Sequence, residues 1–77
     1  MRNYKYDKEN DIFFTFHKGQ RYSLGYNITG KHIHVYTYRQ SRFVEGIGES
    51  MSAAVDNLLA FMEHRDHVSP FEEDVTL

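Results

Sequence analysis

Cysteine and tryptophan are absent from this chain of 77 residues, and Pro70 is its single proline. Without cysteine, neither a disulfide nor a zinc–thiolate site can staple the fold. No apolar run approaches the roughly 20 residues that span a bilayer. The opening Met1-Arg2-Asn3-Tyr4-Lys5 runs into polar residues with no apolar signal stretch. The expectation is a cytoplasmic protein with no membrane partner. Catalytic signatures are missing too. Gly46-Ile47-Gly48 lacks the third glycine and the βαβ context of a dinucleotide site. His64-Arg65-Asp66 copies three letters of the kinase catalytic loop in a chain far too short for that fold. No Ser/His/Asp order stands out, so neither an enzyme nor a cofactor is expected.

What is present is aromatic. Six Tyr and six Phe make 16% of the chain, alongside 40% hydrophobic and 26% charged residues. That balance describes one globular domain rather than a disordered chain. A domain this small buries only about 60–65% of its unfolded surface, so its core must supply nearly all the stability.

The net charge of −2 conceals a segregation. Residues 1–11 are balanced. Residues 12–44 contain no acid but carry Lys18, Arg21, Lys31, Arg39 and Arg42, with His17, His32 and His34 among them. From Glu45 onward, eight acids oppose Arg65 alone. Such a bipolar chain offers a basic face to a polyanion or acidic partner, unless its halves neutralise each other in the fold.

Periodicity divides the chain into a sheet followed by a helix. Residues 1–11 read as a polar arm or edge strand. Over residues 12–16, alternation groups Ile12, Phe14 and Phe16 against Phe13, Thr15 and His17. Lys18-Gly19-Gln20 makes a hairpin loop, and the next strand, residues 21–28, groups Tyr22, Leu24, Tyr26 and Ile28. After Thr29-Gly30-Lys31, residues 32–39 separate Ile33, Val35 and Thr37 from His32, His34, Tyr36 and Tyr38. A turn at Gln40-Ser41 leads to a short strand around Phe43 and Val44, which closes the sheet segment, residues 12–46. Ser50 then caps a helix over about residues 51–64, set within residues 50–65, with Met51, Val55, Leu58 and Met62 on its apolar stripe. Pro70 and Phe71-Glu72-Glu73-Asp74 fall in an acidic tail, residues 68–77. It is either solvated or laid across the basic sheet.

The fold class expected is α+β: a three- or four-stranded antiparallel meander packed on one C-terminal helix. Ile12, Phe14, Phe16, Tyr22, Leu24, Ile33 and Val35 would meet the helix. The opposite face would present Phe13, Tyr36 and Tyr38 with His32 and His34, rimmed by Lys18, Arg21, Lys31, Arg39 and Arg42. Rings stack on bases for about 1–3 kcal/mol each, and cations add a salt-sensitive phosphate contact. The leading expectation is therefore a non-enzymatic RNA-binding protein, with the histidines strengthening binding below about pH 6.5 as they charge. Cross-strand aromatic pairs also stabilise any antiparallel sheet, and a second subunit could cover the same face in a homodimer. His32-x-His34 and His64-x-x-His67 would form a metal site only if those segments met; no metal site is expected.

Residues 43–58 resemble the strand-to-helix junction of HicB-type antitoxins through Gly48, Ser50, Met51, Ala54, Val55 and Leu58. Through Gly46, Gly48, Ser50 and Ala54 they are similar to the end of a double-stranded RNA-binding domain, although the lysines that grip phosphate there fall on Met51, Ser52 and Val55. The resemblance implies a βββα arrangement and either RNA binding or neutralisation of a toxin that acts on RNA, in a small bacterial or phage accessory protein. The alternative function is thus a small dimeric inhibitor or antitoxin-like protein working by protein–protein contact.

Overall fold

The computed structural model describes residues 3–67. Five strands follow one another: β1 (Lys5–Asp7), β2 (Ile12–His17), β3 (Gln20–Thr29), β4 (His32–Arg39) and β5 (Arg42–Gly48), with α1 (Met51–His67) after them. They form one antiparallel sheet in the order β1-β2-β3-β4-β5. The α+β class and meander are as expected, but there are five strands rather than three or four. The polar arm supplies β1 as an edge strand, and β5 is longer than foreseen. The helix also continues to His67. The expected acidic tail lies outside the described residues.

Tight turns make the meander. His17 pairs with Gln20, so Lys18 and Gly19 form a two-residue loop with φ of 52° and 79°. Both residues sit in the left-handed region that the twist-matched hairpin turn demands. Gln40 and Ser41 do the same between the paired Arg39 and Arg42, at 52° and 66°, without a glycine. The β1–β2 loop is held by Asp7, whose carboxylate accepts from the Glu9 and Asn10 backbone N–H groups.

The helix lies on β5 and β4. Ser50 caps it, accepting from the Ala53 N–H at 3.1 Å. Val35, Val44, Ala54, Val55, Leu58 and Met62 form the buried core with Leu24. Gly46 and Gly48 set the closeness of this contact. A Cβ on Gly46 would lie 2.2 Å from the Ala54 carbonyl oxygen, and one on Gly48 would lie 2.6 Å from the Ala54 nitrogen. The Gly-x-Gly pair therefore serves helix–strand approach. Several residues carrying the family resemblance belong to this seat: the two glycines, the Ser50 cap, and Ala54 and Leu58.

One strand is phased oppositely to expectation. Phe13 is paired with Leu24 and Thr15 with Tyr22, so Phe13, Thr15 and His17 face the helix side. Ile12, Phe14 and Phe16 face outward, and Phe16 is 51% exposed. Residues 12–16 are apolar on both sides, so hydrophobicity alone does not choose the phase. Thr15 decides it: almost fully buried, it donates its hydroxyl to the Asn3 carbonyl at 2.7 Å. Asn3 in turn donates to the Ser52 carbonyl on the helix. Phe13 is thus a core-side hub, with its ring against Tyr4, Tyr6 and Tyr26 at 4.9–5.9 Å.

Candidate functional site

Two surfaces of the sheet are candidate sites. The first is the sheet face opposite the helix. Strand pairing places Phe14 and Phe16 of β2, Arg21, Ser23 and Asn27 of β3, His32, His34, Tyr36 and Tyr38 of β4, and Phe43, Glu45 and Ile47 of β5 there. Tyr38, Phe43 and Ile47 are 65%, 51% and 43% exposed. Phe43 stacks on Tyr36 at 5.7 Å and meets Tyr38 edge-on at 5.6 Å. The Arg21 guanidinium lies 4.0 Å above the Phe14 ring. Tyr36 is less available than Tyr38, because its ring lies across Gly25, where a Cβ would be 2.2 Å from a ring carbon.

The second surface is a slot within the sheet. Residues 20–24 of β3 pair with β2, whereas residues 25–29 pair with β4. The ladder thus changes partners between Leu24 and Gly25. From there, residues 20–24 and residues 37–39 flank an open groove of about 680 Å³. Thr37 bridges it, donating its hydroxyl to the Ser23 carbonyl at 2.8 Å. Its lining includes Lys18, Arg21, Tyr22, Tyr38 and Arg39.

The expected basic, aromatic site is brought together only in part. Lys18, Arg21, Tyr38 and Arg39 meet around the slot. His32, His34 and Tyr36 share the outer face with Tyr38 as anticipated, and Lys31 follows Gly30 in the β3–β4 turn at the far end. Phe13 does not belong to this face. Arg39 and Arg42, paired across the last hairpin, lie on the helix side, in register with Thr37 and Val44 rather than with Tyr38 and Phe43. The outer-face residues missed by sequence are Phe14, Phe16, Phe43 and Ile47. Alternation around buried Val44 pointed to the last two; the β2 misphasing hid the first two.

Charge is more balanced than the sequence segregation suggested. Asp66, on the last turn of α1, faces Lys18 Nζ at 2.8 Å, His17 Nε2 at 3.0 Å and Arg39 at 2.5 Å. The Lys18 and His17 hydrogen bonds hold its carboxyl well below the ordinary range, with Arg39 adding to them. The same carboxylate raises the pKa of Lys18 and of Arg39. A carboxylate at the negative end of a helix dipole is otherwise disfavoured, and the cations offset that cost. Arg39 also reaches the Met62 carbonyl of the last turns at 3.4 Å. Arg21 lies 3.5 Å from Asp7, and His34 lies 3.9 Å from Glu45.

Ligating atoms of His17, Glu63 and Asp66 lie within 4.8 Å of one another. Lys18 Nζ occupies that neighbourhood, 2.8 Å from Asp66 and 3.8 Å from Glu63. The positive charge such a donor set calls for is already supplied by the chain. His32 and His34 lie on the face away from the helix that carries His64, so these histidines do not converge. Among the described residues, no helix is long and apolar enough to cross a membrane.

No family model, curated protein or solved structure matches this chain.

Proposed function

We propose that this chain is a non-enzymatic accessory module that binds another protein through the open face of its sheet, as a small inhibitor or antitoxin-like protein would. The observation that carries the reading is the outer face with Phe16, Tyr38, Phe43 and Ile47 exposed on it, while Lys18, Arg21 and Arg39 stand against acids of the same chain. Exposed apolar side chains with balanced charge suit a partner that supplies apolar surface of its own. Two copies joined face to face would be one form of that contact, seen as a doubled mass in sedimentation.

The test is a crosslinking pull-down after nuclease treatment, comparing the wild type with a Tyr38→Glu plus Phe43→Glu variant. These side chains are exposed, so the variant should keep its circular dichroism spectrum. A protein partner retained by the wild type in high salt and lost by the variant supports the reading. Equal recovery by both proteins sinks it.

A second reading, a single-stranded RNA platform, is favoured by the exposed rings of Tyr38 and Phe43 and by the Arg21–Phe14 stack. Labelled oligouridylate bound steeply with falling salt, and lost on Tyr38→Ala, would move the assignment to RNA.

A further inference from the structure

The slot between the two halves of the sheet has the chemistry of a strand-binding site. We propose that it takes an extended, acidic peptide segment of the partner protein, added edge-on to residues 20–23 of β3. This deepens the protein-docking reading and rests on it.

The backbone supplies the first argument. Residues 20–24 pair with β2 on one side and have no ladder to β4 on the other. A strand side without a ladder invites an extended chain, whose main-chain groups match it and whose alternate side chains give selectivity. The Ser23 carbonyl points into the slot, where the Thr37 hydroxyl stands in for a ladder donor. That bridge marks the inner end. The Lys18-Gly19 and Gln40-Ser41 turns mark the outer end.

Charge supplies the second. Lys18, Arg21 and Arg39 line the slot, and the Lys18 and Arg21 side chains are 54% and 48% exposed. Asp66 orients Lys18 and Arg39 from the helix side, and Asp7 faces Arg21 from the outer side. An ammonium has three donors and a guanidinium five, so each keeps N–H groups beyond those turned to its own carboxylate. Tyr22 and Tyr38 provide flat walls for the apolar side chains that alternate with acids along an extended segment. The volume, about 680 Å³, suits such a segment and falls within the ~300–1,000 Å³ of ordinary ligand sites.

The test uses the full chain labelled with nitrogen-15. It is titrated with a capped seven-residue peptide alternating glutamate and valine. An N-methylated copy controls for backbone pairing, and a lysine–valine copy controls for charge. Expected are amide shifts and slowed exchange in residues 20–23 and 37–40, absent with the N-methylated copy. Arg21→Glu and Lys18→Gln should each weaken binding about tenfold or more, equivalent to about 1.4 kcal/mol.

Unchanged amides in those residues at millimolar peptide overturn the proposal. So does equal binding of the lysine–valine peptide, or occupation of the slot by oligouridylate in place of the peptide. Shifts confined to Tyr38, Phe43 and Ile47 overturn the slot while leaving the docking face standing. Failure of that face is read separately, in the pull-down.

Discussion

At the scale of single residues, the smallest side chain and one acid carry disproportionate weight. Gly46 is a buried strand position where backbone meets backbone, and a methyl group there would collide with both the Ala54 carbonyl and the Leu58 nitrogen. Helix and strand must then separate, so Gly46→Ala should cost about 1–3 kcal/mol or more, read as a lower urea midpoint at unchanged slope. A midpoint equal to wild type would mean that the helix is not seated so closely. Asp66 acts through charge. Its folded pKa is depressed by Lys18 and His17, so the stability it provides is present above the unfolded value, near pH 3.9. That stability is lost as pH falls toward the lower folded value. Thermal melts should show wild-type stability declining below about pH 4. Asp66→Asn should be less stable at neutral pH and should lack that component of the acid decline. Parallel pH profiles for the two proteins would remove Asp66 from the account.

At the scale of elements, the sheet was legible where one face is apolar and the other is not. In β4, Ile33, Val35 and Thr37 alternate cleanly with His32, His34, Tyr36 and Tyr38, and the structure keeps that division. In β2 the alternation separates two sets that are both rich in phenylalanine. Its phase is decided by the buried Thr15–Asn3 bond, a long-range contact with no periodic signature. The split of β3 was equally hidden, because the change of ladder partner falls at Leu24 and Gly25 without interrupting the strand pattern. The β4–β5 turn offers a direct test. Gln40 and Ser41 both adopt positive φ, a conformation that side chains other than Asn and Asp resist. Replacing them with Asn-Gly should stabilise the domain by about 0.4–1 kcal/mol or more, raising the melting temperature. A lower melting temperature would show that these side chains contribute more than their strain costs.

At the scale of the whole molecule, the charge segregation was plain in the sequence, but its use was not. A run of cations without acids suggested an open basic face. Folding instead brings the helix end to Lys18 and Arg39, and β1 to Arg21, so at least three of the five cations of residues 12–44 stand against a carboxylate of the same chain. This predicts a shallow salt dependence for any binding to single-stranded RNA, because phosphate must compete with carboxylates already in place. The slope of log affinity against log salt changes by about 0.7 for each phosphate contact made to a single strand. Asp66→Asn removes the carboxylate shared by Lys18 and Arg39, and should steepen that slope by about 0.7 for each cation that turns to phosphate. The comparison is made below the melting point of the variant, by anisotropy of labelled oligouridylate across a salt series. A steep slope in the wild type, unaltered in the variant, would mean that the internal pairing does not restrain these cations. The slot lined by Lys18 and Arg39 would then have to be read as a phosphate-binding surface despite its balanced charge. A shallow slope that steepens on substitution would show the helix end acting as the sheet's own counter-ion.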